Sequence, residues 1–335
     1  MKNKNVLITG AEGFIGSHLC EVLVKTGANV KALVLYNSYS DIGWLNDLNK
    51  KSLDSIEIIF GDIRDQNLMI DITKRIDTIF HLAALIAIPY SYKAPKSYID
   101  TNVLGTLNVL QASNINSVKR LISTSTSEVY GSAIYTPIDE DHKLQAQSPY
   151  SASKIAADHL LESFVKSFNT PAVILRPFNT YGPRQSERAV IPTIIRQVLD
   201  NNCKVIKTGD LSPKRDFNYV LDTVDAFIKL AELSSNDIVF GSSYNAGSGK
   251  AISIEKTLQL IKKITNSDKK VIQDKNRLRP KKSEVNHLIA SSTKIHKSTN
   301  WLPKTNIEVG LEKTISWWEK RFKEKKINNP SKYYI

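Results

Sequence analysis

Cysteine is nearly absent. The two among 335 residues, Cys20 and Cys203, cannot build a disulfide framework or a four-thiolate metal site. Cys20 lies in an apolar helical pattern and reads as a buried, inert thiol. No cluster of His, Cys and carboxylates has metal-ligand spacing, so no metal is expected. No apolar run approaches the length of a membrane span. Met1-Lys2-Asn3-Lys4-Asn5 leads straight into a strand-like segment without the apolar stretch of a secretory signal. A cytoplasmic chain without membrane contact is the expectation. Low-complexity runs, Pro/Ser linkers and internal repeats are also missing, which excludes disorder and solenoids. Composition is that of a folded protein, 41% hydrophobic and 24% charged, and the length allows a full-sized core.

Charge of one sign is in excess: 46 Lys and Arg against 33 Asp and Glu, a formal +13. The basic residues are spread along the chain, with enrichment at Lys320, Arg321, Lys323, Lys325 and Lys326. That cluster follows an amphipathic segment containing Trp317 and Trp318 and reads as a solvated helix face. No helix-turn-helix, zinc-finger or RNA-binding aromatic signature accompanies it, so no nucleic-acid partner is expected. A basic balance also suits anionic small substrates by raising their local concentration.

Short apolar runs alternate with amphipathic stretches through the first half. Strands are expected at Asn5–Thr9, Val30–Leu35, Ile56–Phe60, Thr78–Leu82, Arg120–Ser123 and Ala172–Arg176, and a helix over 14–25. Such alternation implies a parallel sheet covered on both faces, a doubly wound α/β fold of Rossmann type. Beyond residue 180 it loosens into short helices (189–200, 222–233, 253–264) and isolated strands. This predicts a dinucleotide-binding part over 1–180 and a smaller α/β substrate lobe over 181–330, with no linker between them and the chain crossing between the two.

Thr9-Gly10-Ala11-Glu12-Gly13-Phe14-Ile15-Gly16 lies between the first strand and the first helix. Glycines at such a turn let the backbone approach a pyrophosphate, whose charge meets free N–H groups at the helix start. The spacing is G-x-x-G-x-x-G, and glycines also end strands for purely structural reasons, but the strand-before, helix-after context favours a dinucleotide. Gly10, Gly13, Phe14, Ile15 and Gly16 are therefore candidate cofactor residues. An acid at the end of the second strand would hold the ribose 2′-hydroxyl of NAD. Val34-Leu35-Tyr36-Asn37-Ser38 offers neither acid nor arginine there. Asn37 and Ser38 could bond either cofactor, and the choice between NAD and NADP stays open. Asp62, after the third strand, is placed to contact the adenine.

Tyr150-Ser151-Ala152-Ser153-Lys154 opens a helical stretch, so Tyr150 and Lys154 lie one turn apart on one face. An ammonium near a phenol favours the phenolate, and the expectation is a lowered Tyr150 pKa. Such a tyrosine can take a proton from a substrate hydroxyl as hydride leaves the same carbon. A Y-x-x-x-K pair alone is a common helix surface. Here, however, an upstream strand ends in Ser123-Thr124-Ser125-Thr126-Ser127-Glu128, at the edge where doubly wound sheets bind ligands. His81, inside a buried-strand run, reads as a packing residue.

These residues, in this order, resemble the extended short-chain dehydrogenase/reductases that modify nucleotide sugars, over nearly the whole chain. The resemblance rests on Gly10/Gly13/Gly16, Asp62, His81-Leu82-Ala83-Ala84, Asn102 and Tyr150/Lys154. It continues in Arg176-Pro177-Phe178-Asn179-Thr180-Tyr181-Gly182-Pro183, Arg215-Asp216-Phe217-Asn218-Tyr219-Val220 and Arg277-Leu278-Arg279-Pro280. It implies a homodimer paired through helices around 96–113 and 150–168. It also implies Ile63, Leu82, Ala83, Ala84 and Asn102 at the cofactor, and Pro89, Tyr90, Asn179, Arg184, Val190, Arg215 and Arg279 at the nucleotide sugar. Arginine forks suit diphosphate oxygens. Leu85-Ile86-Ala87-Ile88-Pro89-Tyr90-Ser91-Tyr92 and Gly182-Pro183-Arg184-Gln185-Ser186 look like the 4,6-dehydratases of bacterial nonulosonic-acid pathways, in particular the legionaminic-acid type acting on UDP-N-acetylglucosamine.

Epimerases of this family usually carry a small or apolar residue at the position of Glu128, whereas sugar 4,6-dehydratases are similar to this chain in having a glutamate there. Their usual triplet is Thr-Asp-Glu; this chain has Thr126-Ser127-Glu128, which resembles GDP-mannose 4,6-dehydratases and also UDP-glucuronate decarboxylases. The mechanism the resemblance implies is oxidation at C4 with Tyr150 as base, removal of the C5 proton by Glu128, loss of water from C6 and return of hydride to C6. The product is a 4-keto-6-deoxy sugar. With Ser127 only orienting, Glu128 serves as base and acid. NAD or NADP is then held tightly and recycled in each turnover. The alternatives are a UDP-glucuronate decarboxylase using Arg184 or Arg188, an epimerase or 5,6-ene-processing relative, and, outside catalysis, a nucleotide-binding sensor. A sensor would need none of Thr126, Glu128, Tyr150 and Lys154 together.

Overall fold

The computed structural model describes residues 1–278, 285 and 287–324. Arg279, expected at the substrate diphosphate, lies outside the described residues. Among the described residues there are twelve strands: β1 Asn5–Thr9, β2 Asn29–Leu35, β3 Ile56–Gly61, β4 Thr78–His81, β5 Arg120–Thr124, β6 Ala172–Pro177, β7 Asn179–Tyr181, β8 Val205–Thr208, β9 Lys214–Tyr219, β10 Ser243–Ala246, β11 Ala251–Ser253 and β12 Lys270–Gln273. Seven form one parallel sheet in the order β10-β6-β5-β4-β1-β2-β3. The order reverses between β1 and β4, where a doubly wound sheet opens its ligand crevice.

The continuous apolar runs of the central strands arise because both faces are covered. Side chains alternate across a strand, so Val6 and Ile8 enter one core while Leu7, between them, enters the other. The first core is closed by the helices Phe14–Lys25, Val220–Glu232 and Thr293–Thr299. The second is closed by Gln66–Ile72, Gly105–Ile115 and Pro149–Phe168. A third core joins β7, β8 and β9 to the helices Val190–Leu199, Ile254–Ile264 and Ile307–Lys323 around the buried Trp318.

The seventh strand, β10, is an element the apolar pattern does not reveal. Ser243-Tyr244-Asn245-Ala246 is short and half polar, yet it pairs in parallel with β6 from Ser243↔Ile174 to Ala246↔Pro177. Asn245 stays buried because its side chain donates to the Ile138 carbonyl (3.1 Å) and accepts from the Tyr130 hydroxyl (2.7 Å). The chain after residue 180 thus supplies a strand and two helices to the main sheet. In return, Phe14 and Ile15 of the first helix pack against the third core. Among the described residues no helix is long and apolar enough to cross a membrane.

Phe227 of the helix Val220–Glu232 is fully buried, its ring edge-on to Phe80 of β4 with centroids 6.3 Å apart. Phe227→Ala should lower stability by roughly 3–5 kcal/mol in equilibrium denaturation. A loss under ~1 kcal/mol would show that this late helix is not part of the central core.

Candidate active site

β1 ends at Thr9 and the chain turns through Gly10 with φ +67°; a Cβ there would come within 2.8 Å of the Ala83 backbone. A Cβ on Gly16 would collide with the Gly10 carbonyl oxygen. Only glycines allow this approach of the turn, the β4 loop and the helix. Gly13 caps the helix without a side chain, and no acidic residue occupies the first turn. The N–H groups of Phe14, Ile15 and Gly16 are left for an anion at the positive helix end, a donor set that fits a pyrophosphate.

A hydrogen-bond chain ties this turn to the helix that carries Tyr150 and Lys154. The Thr9 hydroxyl accepts from the Leu82 and Ala83 N–H groups (both 3.1 Å) and lies 2.8 Å from His81 Nδ1. His81 Nε2 lies 3.0 Å from the Thr106 hydroxyl, which donates to the Asn102 carbonyl (2.7 Å). Thr106 must therefore accept from Nε2–H, and Nδ1 accepts from Thr9, which makes His81 a neutral Nε2–H tautomer. Asn102 accepts from Leu85 N–H (2.8 Å) and donates to the Leu85 carbonyl and to Ser153 Oγ (both 2.9 Å). Its amide thus fixes Leu85, the residue that follows the Leu82–Ala84 loop, against the start of the helix Pro149–Phe168.

The helix Pro149–Phe168 starts with a capping box, Ser148 and Ser151 satisfying each other's backbone N–H groups, and has Pro149 in its first turn. It ends at Asn169 in a left-handed conformation. This start places Tyr150 and Lys154 one turn apart, both buried. Tyr150 lies close enough to the Thr126 hydroxyl for it to act on the phenol, and its ring lies edge-on to Tyr98, which in turn neighbours Tyr90. Thr126 caps a tight 3-10 turn, Ser127–Tyr130, accepting from Glu128 N–H at 3.2 Å. Glu128 is half-buried and close enough for its charge to act on Tyr150. Ser127, between them, is buried.

Lys154 does not lower the Tyr150 pKa as expected. Burial raises it well above the ordinary value, against the influence of the Thr126 hydroxyl, and the Glu128 charge raises it further. The Lys154 ammonium donates instead to the Thr124 carbonyl at 2.6 Å, and burial lowers its own pKa. Behind it Asp158 accepts from Arg176 (3.0 Å) and Ser125 (2.8 Å) in a buried network.

Other expected residues are distributed unevenly. Asn179 begins β7 with a buried Oδ1 that has no hydrogen-bond partner, a free acceptor at the sheet edge. Arg215 is buried on β9, Nη1 donating to the Lys214 carbonyl. Tyr90 is partly exposed above Tyr98 in the helix Ile88–Ser91, which also holds Pro89, and Val190 is exposed at the start of its helix. Arg184 is carried elsewhere: from a left-handed backbone (φ +66°) its Nη2 donates to Glu21 on the glycine-loop helix at 2.8 Å. Asp62 is held by Arg64 (2.6 Å), which keeps its carboxyl below the usual range, while Ile63 is buried beside Gly105. Asn37 spends its amide on its own loop, and Ser38 is exposed in that loop. Glu12, not among the expected site residues, reaches the end of β2 and accepts from Leu35 N–H at 3.1 Å. An acid inside the glycine motif was the signal for it.

A family model described as GDP-mannose 4,6 dehydratase matches residues 7–314. The chain belongs to this family of extended short-chain dehydrogenase/reductases. It is 32% identical over 325 residues to a UDP-N-acetyl-alpha-D-glucosaminuronate decarboxylase of Bacillus cytotoxicus, covering 94% of this chain and 98% of that protein. It superposes on a UDP-N-acetylglucosamine 4-epimerase of Methanobrevibacter ruminantium, in complex with UDP-N-acetylmuramic acid, with TM-score 0.86, 31% identity, and coverage of 96% and 100%. A dTDP-glucose 4,6-dehydratase of Bacillus anthracis in complex with NAD gives TM-score 0.82, 26% identity, and coverage of 96% and 98%. Dehydratase, epimerase and decarboxylase relatives thus share this frame.

Two histidines of this dehydratase-family chain carry a pH signature. Burial, reinforced by the Lys154 charge, brings His81 down to about 3; burial, reinforced by Arg184, brings His18 down to about 4. Above pH ~6.5 both rings are neutral in the folded and the unfolded chain. Below it only the unfolded chain takes up protons, so stability is lost as pH falls toward the folded values. Each ring should cost about 1.4 kcal/mol per pH unit in that window. Denaturation at about pH 7 and about pH 5, with ring NMR, measures this. A buried ring titrating near its ordinary value in the folded protein would contradict it.

Proposed function

We propose that this chain is a nucleotide-sugar 4,6-dehydratase that converts UDP-N-acetylglucosamine to a UDP-4-keto-6-deoxy-N-acetylhexosamine, as in nonulosonic-acid biosynthesis. The observation that carries this reading is Glu128, a half-buried carboxylate one 3-10 turn from Thr126 and within electrostatic reach of Tyr150. A C4-only reaction needs no such acid–base group.

NAD or NADP is the cofactor in this reading, supported by the Gly10/Gly16 cradle and by the NAD named with the Bacillus anthracis relative. It would be held by the N–H groups of Phe14, Ile15 and Gly16 and by the Leu82–Ala84 loop. When bound, a nicotinamide supplies a hydride acceptor and donor, and its positive ring favours the Tyr150 phenolate. Tyr150 takes the C4 hydroxyl proton while Thr126 bonds the same oxygen. Lys154 holds its ammonium beneath the helix start, anchored on the Thr124 carbonyl. Glu128 removes the C5 proton, made acidic by the 4-ketone, and passes it to the hydroxyl leaving from C6 as water. The proton that Tyr150 took from the C4 hydroxyl balances the one restored at C5 when C6 is reduced. Ser127 only orients. Asn179, Arg215, Arg279, Pro89, Tyr90 and Val190 hold the nucleotide sugar, the free Asn179 Oδ1 accepting from it. Arg184 braces the glycine-loop helix through Glu21. The same reading takes the chain as a homodimer, supported by exposed Ile99, Leu104, Ile115 and Phe168 at or beside the helices expected to pair.

A decarboxylase is the second reading. It is supported by Arg188, exposed and near enough to act electrostatically on Tyr98, where a C6 carboxylate could be met.

Incubation with UDP-N-acetylglucosamine without added reductant, followed by mass spectrometry and proton NMR, should show loss of one water and a new C6 methyl doublet. Glu128→Gln should stall elimination, and Tyr150→Phe should slow turnover by ~10²–10⁴-fold. Loss of carbon dioxide from UDP-glucuronate, with UDP-N-acetylglucosamine untouched, would replace the dehydratase by the decarboxylase.

A further inference from the structure

The end of β2 is where a nicotinamide dinucleotide places its adenosine ribose, and no acid stands in Leu35-Tyr36-Asn37-Ser38. Asn37 cannot substitute. Its amide donates to the carbonyls of Leu35 (3.2 Å) and Asp41 (2.8 Å), and its oxygen accepts from the N–H groups of Tyr39 (3.2 Å) and Asp41 (2.9 Å). Both donors and both lone pairs are consumed.

Glu12 arrives at the same strand end from the glycine loop. Its Oε1 accepts from Leu35 N–H at 3.1 Å, and its backbone carbonyl accepts from Trp44 N–H at 2.9 Å. Its Oε2 is shut off from solvent with no hydrogen-bond partner, an unfavourable state for a carboxylate oxygen unless a donor arrives. The position is braced from outside. Trp44 lies edge-on to Trp317 (5.4 Å), and the Arg321 guanidinium stacks on both rings (4.8 and 5.0 Å) while donating to Asp47. The helix Ile307–Lys323 therefore clamps the loop that holds Glu12. Among the described residues no Lys or Arg makes an ion pair with Glu12.

We propose that Glu12 Oε2 accepts the 2′-hydroxyl of the adenosine ribose, taking the place of the missing β2 acid, and so selects NAD over NADP. A 2′-phosphate would set its negative charge against that carboxylate, with no basic side chain paired to it. The inference rests on the nicotinamide-dinucleotide reading above and narrows it to one cofactor.

Calorimetric titration of the cofactor-stripped full chain with NAD⁺, NADP⁺ and 2′-deoxy-NAD⁺ tests it without turnover. NAD⁺ should bind at least ~10-fold tighter than either analogue, since a lost hydrogen bond to a charged group is worth about that factor or more. Glu12→Gln and Glu12→Ala should each narrow the NAD⁺/NADP⁺ ratio by ~10-fold or more. In Glu12→Ala, NAD⁺ and 2′-deoxy-NAD⁺ should bind alike. Equal binding of NAD⁺ and 2′-deoxy-NAD⁺ by the unaltered chain would overturn the role of Glu12 while leaving the cofactor reading intact, a result independent of whether the variants fold. Binding of neither dinucleotide would overturn both.

Discussion

The hydroxyl of Thr9 is the point on which the site depends. It sits at the end of β1, beside the place where strand order reverses, and gathers three groups from β4 and its loop: Leu82 N–H, Ala83 N–H and the His81 ring. From there the chain of bonds runs through Thr106, Asn102 and Ser153 to the Tyr150 carbonyl. Most of it lies out of water, where an unsatisfied member is costly and a complete network is rigid. The glycine turn and the helix that carries Tyr150 and Lys154 are thereby held in one frame.

A second buried network supports the other side of Tyr150 and Lys154. Asp158, one turn beyond Lys154, accepts from Arg176 of β6 and Ser125 of the β5 edge, while Arg176 donates to Tyr130 at the end of the Thr126 turn. The same carboxylate that compensates Arg176 favours the charged form of Lys154. Helix, strand edge and tight turn are thus joined by charge-assisted bonds. Removing one partner would strand a buried charge, which is costlier than the pair itself is worth. The turn that carries Thr126 and Glu128 is therefore held on a stiff support.

Much of this was legible in the residue pattern. The strands of the first half were visible because a strand buried on both faces is a continuous apolar run, and the glycine turn because close backbone approach excludes any Cβ. Tyr150 and Lys154 were visible because helical spacing places them on one face. The pattern missed β10, whose polar Asn245 is tolerated only because Ile138 and Tyr130 satisfy it. Nor does it reveal that Asn37 is tied up: its own loop uses its amide completely.

Sequence alone determined what local geometry dictates: the parallel α/β sheet, the glycine turn at the helix start and the helical spacing that sets Tyr150 and Lys154 one turn apart. Tertiary structure alone decided how the polar groups are spent. It turned Arg184 toward Glu21, closed Asn102 on Leu85 and Ser153, and brought the Glu12 carboxylate to the end of β2. Periodicity and spacing report which face a residue occupies. Which partner satisfies a buried polar atom depends on chain segments far away in sequence, and only folding brings those together.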